Sequence, residues 1–319
     1  MRALACPASL KGVLSASATA EALASGFAQV GVVCEELPIA DGGEGTAEVL
    51  HAALDGEWRE TTVADPLGRP IPARWLVLPD GTAVVEAAAA IGLPLLGAHE
   101  LDPLRASSRG FGELVAAALA GGARSVLLCL GGVATVDGGA GLREILRGSE
   151  PLGTVRARVA CDVRTRLADA ARLYGPQKGA TAEQVSELAR RLAAMPELVP
   201  YADLPGSGAA GGLGAALAAL GAELVSGAEL VLETIRLRER LTGVELVVTG
   251  EGQVDETTAE GKAPGAVAQL CAEAGVRCVV FGGVVSQPLA NAETVALSGD
   301  PTRAADDLRE LGGTLLGFA

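Results

Sequence analysis

Short apolar segments rich in Val, Leu and Ile alternate along the chain with longer Ala- and Leu-rich segments of helical spacing. Glycine and a carboxylate or a lysine follow several of the short segments, as expected where a strand ends in a loop. The predicted strands are Ala3–Cys6, Val32–Ile39, Val126–Leu130, Val159–Val163, Leu246–Thr249 and Cys278–Phe281, and the predicted helices include Ala18–Val30, Gly112–Ala120, Ala182–Met195 and Ala263–Ala274. This alternation predicts an α/β fold with a doubly wound parallel sheet.

One region departs from the alternation. Three extended runs, Arg59–Val63, Arg74–Leu78 and Thr82–Ala87, are separated by turn sequences, which predicts antiparallel strands. We therefore expect two α/β domains. One is a discontinuous parallel-sheet domain over residues 1–60 and 225–319, and the other covers residues 61–224 and begins with the antiparallel set. No Ser- or Pro-rich linker is visible, so we expect a cleft between the domains to be the active site.

Composition removes several classes of partner. The 319 residues contain 39 acidic and 25 basic side chains, for a formal net charge of −14, which opposes binding to nucleic acid and to anionic membranes. The longest uncharged stretch, Leu204–Ala222, contains a proline and six glycines and is not expected to span a membrane. Six cysteines without a C-x-x-C pair predict reduced core residues and a cytoplasmic protein.

Unusual polar clusters occur where predicted strands end, and ligands bind at this edge of parallel sheets. Glycines allow main-chain N–H groups to approach phosphates, carboxylates hold Mg²⁺ or accept a proton, and lysines neutralise phosphoryl charge. The set therefore suits phosphoryl transfer. The loops concerned are Pro7–Gly12, Ala40–Gly45, Gly131–Gly139, Cys161–Val163, Thr249–Asp255 and Phe281–Gly283, and Lys11, Lys178 and Lys262 lie at helix starts.

Two segments partly match nucleotide-binding motifs, but the residues around them do not support either assignment. Gly206–Gly211 fits G-x-G-x-x-G, but the residues before it make a poor strand, so close helix packing explains its glycines better. Gly261-Lys262 lacks both the earlier glycine and the following Ser or Thr of a Walker A loop. A Rossmann dinucleotide site and a P-loop kinase are therefore not predicted.

At these loops the sequence resembles the bacterial type I glycerate kinases. The motifs that carry the resemblance, in the family's order, are Ala40-Asp41-Gly42-Gly43-Glu44-Gly45-Thr46, Asp65-Pro66-Leu67-Gly68-Arg69-Pro70, Thr135 with Asp137–Gly141, Ala160-Cys161-Asp162-Val163, Gly175-Pro176-Gln177-Lys178-Gly179-Ala180, Gly206–Gly214, and Thr249–Gly252 with Gly261–Pro264. The resemblance implies transfer of the γ-phosphoryl group of ATP, with Mg²⁺, to a hydroxyl of D-glycerate, and it favours 2-phosphoglycerate. It also implies two α/β domains, one of them flavodoxin-like, with the site between them.

Roles for individual residues follow as a working hypothesis. Catalytic positions are Lys11 and Lys178, which would neutralise phosphate, and Asp137 or Asp162, which would orient the glycerate hydroxyl and accept its proton. Metal positions are Asp41, Glu44 and Glu251. Positions expected to bind substrate or phosphate are Ser9, Gly42, Gly43, Gly131, Gly132, Thr135, Asp255 and Lys262. The sequence leaves the oligomeric state open between a monomer and a homodimer.

Departures from the family pattern keep two alternatives open. Ala8 replaces an acidic residue, Val133 and Val136 replace a hydroxyl and an amide residue, and Gln253 replaces an arginine. These changes would suit a catalytically silent regulator that still binds a nucleotide or a sugar acid. The segment between Gly141 and Ala160 is also shorter than in typical members, which would suit a kinase for another small hydroxy acid.

Overall fold

The computed structural model describes residues 1–147, 152, 155–259 and 262–315. Gly261, part of a motif used above, lies outside the described residues, as does most of the stretch 148–154 in the shortened segment after Gly141. In the described part of the chain the strands are β1 Arg2–Ala5, β2 Val33–Glu36, β3 Glu57–Ala64, β4 Pro70–Val77, β5 Thr82–Glu86, β6 Ser125–Cys129, β7 Arg156–Cys161, β8 Glu223–Ser226, β9 Leu246–Val254, β10 Arg277–Val285 and β11 Glu293–Ala296.

The helices begin where side chains satisfy free main-chain N–H groups. Ser15 Oγ accepts the N–H of Ala18 at 3.1 Å, and Thr181 and Gln184 form a reciprocal capping box. The helices are α1 Ala16–Gln29, α2 Thr46–Leu54, α3 Ala88–Ile91, α4 Arg109–Ala120, α5 Ala140–Leu146, α6 Ala170–Tyr174, α7 Ala182–Ala193, α8 Ala209–Ala219, α9 Gly227–Thr234, α10 Leu237–Arg240, α11 Glu256–Ala259, α12 Ala263–Ala274 and α13 Ala304–Thr314. Short 3₁₀ helices cover Leu93–Leu95, Ala98–Glu100, Leu167–Asp169, Pro176–Lys178 and Pro196–Tyr201.

The chain divides into two compact units. The first comprises Met1–Asp41, Glu48–Ala53 and the chain from Ala228 onward, and the second comprises Gly42–Ala47 and Leu54–Gly227. We keep the domain boundaries given by the sequence, 1–60 with 225–319 and 61–224, as a proposal beside this division.

The first unit contains a five-stranded sheet in the order β2-β1-β9-β10-β11, with every neighbouring pair parallel. Counted within the unit, this is the strand order 2-1-3-4-5 of flavodoxin-like folds, so the predicted flavodoxin-like parallel sheet is confirmed. The order reverses between β1 and β9, and sheets of this kind bind ligands beyond the carboxyl ends of the strands at that point.

The second unit contains a six-stranded sheet in the order β3-β4-β5-β6-β7-β8. The pairs β3·β4 and β4·β5 are antiparallel, which confirms the predicted antiparallel set, and β5 to β8 are parallel. Phe111 and Leu114 of α4 are fully buried in the main core of this unit. Because β5 to β8 are parallel to one another, their carboxyl ends share one edge of the sheet.

Two strands escaped the sequence analysis. Both β8 and β11 are four residues long, begin with glutamate and form an edge of their sheet. An edge strand has a face or a side open to water and does not need the continuous apolar run that marks a buried strand.

The cysteines behave largely as predicted. All six cysteines are free thiols, and five are buried, whereas Cys34 on β2 is only half-buried. No helix among the described residues has both the length and the apolar character needed to cross a membrane.

Helices α1 and α13 form one core with the first sheet, and Leu23 of α1 is fully buried there. We expect Leu23→Ala to lower the free energy of unfolding by about 2–5 kcal/mol, because it removes buried methyl groups and leaves a cavity. Val33→Ala, at a position 74% exposed, should change it by less than about 0.5 kcal/mol. Urea unfolding of the two variants checks this, and equal losses of stability would contradict the packing described.

Candidate active site

The site residues predicted from the sequence fall into two groups, one in each unit. We call Ser9, Lys11, Asp41, Glu251, Asp255 and Lys262 the switch-point cluster, because they follow β1 and β9 or lie beside them in the first unit. We call Gly42, Gly43, Glu44, Gly131, Gly132, Thr135, Asp137, Asp162 and Lys178 the strand-end cluster, because most of them lie at the carboxyl edge of the second sheet.

Main-chain and hydroxyl bonds join the ends of β1 and β9 at the switch-point cluster. Thr249 Oγ1 donates to the carbonyl of Cys6 at 2.6 Å, and the N–H of Ala8 donates to the carbonyl of Gly250 at 2.9 Å. The loop after β1, which carries half-buried Ser9, therefore starts in a fixed position beside Glu251 of β9. Thr249 was not predicted as a site residue, since nothing local in the sequence indicates that its hydroxyl ties two strands together.

Glu251 is the most buried acid of the switch-point cluster, with a side chain 16% exposed. Its Oε1 accepts a hydrogen bond from Thr258 Oγ1 at 2.8 Å, and its Oε2 lies 3.7 Å from Lys262 Nζ. Burial raises the pKa of Glu251, the charges of Asp41 and Asp255 add to this, and Thr258 and Lys262 oppose it. Asp41 and Glu251 are thus close enough to repel each other, which favours a cation beside them.

Asp255 is engaged at the start of α11. Its Oδ1 accepts hydrogen bonds from Thr257 Oγ1 at 2.5 Å and from the N–H of Thr257 at 2.9 Å. The Thr257 hydroxyl is the main cause of a lowered Asp255 pKa, and Lys262, 3.5 Å away, contributes as well. These contacts are those of a helix-capping aspartate, so Asp255 orients Lys262 more directly than it offers a free ligand.

The two lysines of the switch-point cluster differ in exposure. The Lys11 side chain is 85% exposed, and its Nζ lies 4.0 Å from Asp41 Oδ2. Such a pair contributes only about 0–1 kcal/mol, so the ammonium can turn toward an incoming anion. Lys262 is one-third exposed and precedes α12, where it faces Glu251 and Asp255.

In the strand-end cluster, main chains approach each other closely at glycine. A Cβ added to Gly131 would lie 2.6 Å from the Cα of Gly43, and one added to Gly42 would lie 2.5 Å from the Cβ of Ala160. The segment Gly42–Thr46 therefore packs directly on the ends of β6 and β7, as only glycine permits. Gly132 is exposed at the tip of its loop, close to the carboxylate of Glu44.

Glu86 was not predicted, although it ends β5 at the same edge. Its Oε1 accepts the N–H of Ala47 in the first turn of α2 at 2.7 Å. A carboxylate at a helix amino terminus stabilises that end, so Glu86 fixes the segment that contains Gly42 and Gly43. Its position near the end of the predicted strand Thr82–Ala87 was the available signal.

Asp137 is saturated with hydrogen bonds. Its Oδ2 accepts from the N–H and the hydroxyl of Ser108, at 2.9 and 2.7 Å, and from the N–H of Gly141 at 3.2 Å, while its Oδ1 accepts from the N–H of Gly139 at 3.1 Å. Ser108 Oγ in turn accepts the N–H of Leu142. One carboxylate thus serves the starts of both α4 and α5, which favours a structural role over the predicted role of proton acceptor.

Lys178 is buried, with the residue only 3% exposed, although the sequence analysis placed it against phosphate. Its Nζ donates to the carbonyl of Thr135 at 2.7 Å and lies 5.9 Å from the centre of the Tyr174 ring. Burial lowers the pKa of Lys178 to about 7, and the charge of Asp137 opposes the shift. The Thr135 hydroxyl is also buried and, within the described residues, has no hydrogen-bond partner.

Asp162 is exposed directly after β7. Its charge adds to the effect of burial in raising the pKa of Cys161 to about 12, and it also helps to raise the pKa of Tyr174. Of the two predicted proton acceptors, Asp162 is the one whose carboxylate is open to solvent.

The segment Gly206–Gly214 is held by its glycines in an unusual turn. Ala210, Gly211 and Gly212 all have positive φ angles, 51°, 69° and 96°, at the start of α8. A Cβ on Gly211 would lie 2.2 Å from the carbonyl oxygen of Thr135, and the N–H of Gly138 donates to the carbonyl of Gly211 at 3.1 Å. The glycines serve left-handed geometry and close packing, and the expected absence of a strand before them is confirmed.

A magnesium ion would need oxygen ligands from the carboxylates. Over the residues described, no three His, Cys, Asp or Glu side chains are arranged to hold a metal ion by themselves. Mg²⁺ usually binds through one or two carboxylates together with substrate phosphates and water, so the mutually repelling pair Asp41 and Glu251 fits such an ion. Glu44 belongs to the other unit.

The lowered pKa of Lys178 should make the free energy of unfolding depend on pH. Between pH 7 and about 10.5 the unfolded chain binds a proton at Lys178 that the folded chain does not bind, so raising the pH favours the folded state. We expect the free energy of unfolding of the wild type to rise with pH relative to that of Lys178→Met, measured by urea unfolding from pH 7 to pH 9.5. Lys178→Arg, whose side chain keeps its proton, should not reproduce the rise. A difference between wild type and Lys178→Met that stays constant with pH would contradict the burial of a titrating amine.

Comparison with known proteins places the chain in a family. The model of the glycerate kinase family matches residues 3–149 and 144–299. The chain is 40% identical to glycerate 2-kinase of Escherichia coli K12, over 85% of this chain and 82% of that protein, and 37% identical to glycerate kinase of Bacillus subtilis 168, over 90% and 86%. A crystal structure of a protein from Salmonella typhimurium LT2, assigned as a glycerate kinase 2, superposes with a TM-score of 0.87 at 31% identity, covering 99% of this chain and 97% of that one. The chain belongs to the glycerate kinase family.

Proposed function

We propose that this chain transfers the γ-phosphoryl group of ATP to D-glycerate, with Mg²⁺ bound to the nucleotide, and that the 2-hydroxyl is the acceptor. Membership of the family makes the chain a kinase whose acceptor is glycerate. The observation that carries the proposal is this match over nearly the whole chain, at 40% identity to a relative named glycerate 2-kinase. A cytoplasmic location and the choice between monomer and homodimer stay predictions.

Phosphate recognition is assigned to groups that both clusters present. Lys11 is exposed and weakly paired, so its ammonium is the most available cation of the switch-point cluster. The main-chain N–H groups of the Gly131–Gly132 turn are assigned to phosphate, because Gly132 is exposed and has no side chain in the way. Fixed N–H groups of this kind stabilise the charge that develops in a transition state. Ser9 and Lys262 are assigned to phosphate contact as well.

The ion is assigned to Asp41 and Glu251. These two carboxylates would hold Mg²⁺, and the ion would supply neutralisation of the charge that develops on the transferred phosphoryl group. Burial is the main cause of the raised pKa of Glu251, and a bound cation would stabilise its charged form against that burial and against the smaller effect of the nearby Asp41. Glu44 stays a prediction from the sequence as a metal position.

The proton of the glycerate hydroxyl is assigned to Asp162. A general base must offer a carboxylate oxygen that the substrate can reach, and Asp162 is exposed. Asp137 already accepts four hydrogen bonds from Ser108, Gly139 and Gly141. We therefore propose that Asp137 supports the Gly131–Gly139 loop and takes no proton.

The structure weakens part of the argument for a catalytically silent regulator. Val133 and Val136, two of the departures from the family pattern, are buried in hydrophobic cores, where they fill space and face no solvent. Replacing a polar residue with valine at such positions does not by itself remove a ligand contact. Ala8 and Gln253 still support the silent regulator, and the shortened segment after Gly141 still supports a kinase for another hydroxy acid.

The deciding experiment measures ADP release with D-glycerate and identifies the product by ³¹P NMR. We expect glycerate-dependent release and a phosphorus doublet, because the 2-carbon carries one proton, whereas a 3-phosphate would give a triplet from the two protons of its carbon. Binding of ATP without turnover would support the silent regulator instead. Faster turnover of another acid from a panel of hydroxy acids would replace glycerate as the substrate.

The base assignment predicts the effect of Asp162→Asn. We expect kcat to fall by about 10²-fold or more, because the amide cannot accept the proton, while the unfolding transition stays unchanged. Asp203→Asn, the same chemical change at a side chain 96% exposed on the same unit, should leave kcat within about twofold of wild type. Steady-state kinetics of both variants checks this, and a kcat for Asp162→Asn within about tenfold of the wild type would refute the assignment.

A further inference from the structure

The chain contains only three lysines, and the other twenty-two basic residues are arginines. Lysine and arginine are not interchangeable, because an ammonium is compact and can lose its proton, whereas a guanidinium presents five donors in a rigid plane. Lys11 and Lys262 lie at acids of the switch-point cluster. Lys178 differs from both, since it is buried and its single hydrogen-bond acceptor in the described structure is a main-chain carbonyl.

The acceptor is the carbonyl of Thr135, in the Gly131–Gly139 loop. Lys178 Nζ lies 2.7 Å from this oxygen, and the two residues are 43 positions apart in sequence. Thr135 is fully buried and its hydroxyl finds no partner among the described residues, so the carbonyl is the polar group by which this residue is held. A guanidinium at this place would bury donors that one carbonyl cannot satisfy.

The same carbonyl is confined from a second direction. The left-handed turn at Gly211 packs against it so closely that an added Cβ would lie 2.2 Å from the oxygen. Gly138 lies three residues after Thr135 in the same loop, and its N–H donates to the carbonyl of Gly211. The loop that carries Gly131 and Gly132 is thus fixed at its far end by Lys178 on one side and by Gly211 on the other.

We propose that Lys178 is a positioning residue, which holds the Gly131–Gly139 loop in its active geometry through the Thr135 carbonyl and does not bind phosphate itself. The inference rests on the proposed function, in which N–H groups of this loop face the phosphates. It is an alternative to the expectation from the sequence, in which Lys178 neutralises phosphate as Lys11 does.

The first test labels amines in the wild-type protein by reductive methylation, with and without MgATP, followed by peptide mass spectrometry. With three lysines, each site is read separately. We expect Lys178 to stay unmodified in both states, because it is 3% exposed, and Lys11 to be modified in the free protein. Rapid labelling of Lys178 in the free protein that MgATP suppresses would overturn the proposal, since it would make Lys178 a ligand of the nucleotide.

The second test compares Lys178→Met with the wild type by hydrogen exchange and kinetics. We expect faster exchange in peptides that cover 131–139, unchanged exchange in α12, a kcat lowered by roughly 10²-fold and a KM for ATP within about threefold, because the misplaced loop serves the transition state. A large rise in KM for ATP with kcat retained would overturn the proposal in favour of direct binding. Unchanged exchange in 131–139 would overturn it as well, and so would lost stability with kcat retained.

A third variant keeps the test decisive if Lys178→Met fails to fold. Gly211→Ala should displace the same carbonyl from the opposite side and increase exchange in 131–139. Gly221→Ala is its matched control, because Gly221 also has a positive φ, 90°, but an added Cβ there meets nothing within 4 Å. Equal exchange in the two variants would contradict the clamp on Thr135. If the wild type releases no ADP with glycerate, the proposed function fails, and labelling and exchange still decide whether Lys178 holds the loop.

Discussion

The contact of two main chains at Gly43 and Gly131 is the constraint on which the strand-end cluster depends. With no side chain between them, the segment after Asp41 rests directly on the ends of β6 and β7. Glu86 then binds the start of α2, which continues that segment. Polar main-chain groups are brought to the sheet edge in this way, and they stay rigid because backbone contacts have no rotamers to lose.

The switch-point cluster is organised on a different principle, that of charge. Burial is the largest cause of the raised pKa of Glu251; Thr258 and Lys262 oppose it, and the charge of Asp41 adds a smaller contribution. A buried carboxylate gains when a cation binds beside it, whereas free main-chain amides gain from an anion. Each cluster thus suits a different kind of ligand: the switch-point cluster a cation and the strand-end cluster an anion.

Sequence reasoning succeeded where a feature is local and periodic. The strands that became β1, β6 and β9 and the antiparallel set all follow from patterns a few residues long, and the flavodoxin-like order followed from the resemblance. It was less informative about roles that depend on distant partners. Lys178 lies shortly after Pro176 in a loop sequence that looks exposed. Its hydrogen-bond acceptor is 43 residues away in sequence, and nothing in the neighbouring residues indicates that the side chain is buried. Asp137 and Ser108 are likewise joined across 29 residues.

The left-handed turn at residues 210–212 has a consequence for how such sequences should be interpreted. An ordinary side chain in this conformation costs roughly 1–2 kcal/mol, a cost that Ala210 bears, and at Gly211 an added Cβ would also lie 2.2 Å from the carbonyl oxygen of Thr135. Backbone handedness together with close packing against Thr135 is therefore enough to preserve glycine at position 211 through evolution. Its persistence in related chains would record the chirality of the polypeptide, and would be no evidence that a nucleotide touches it.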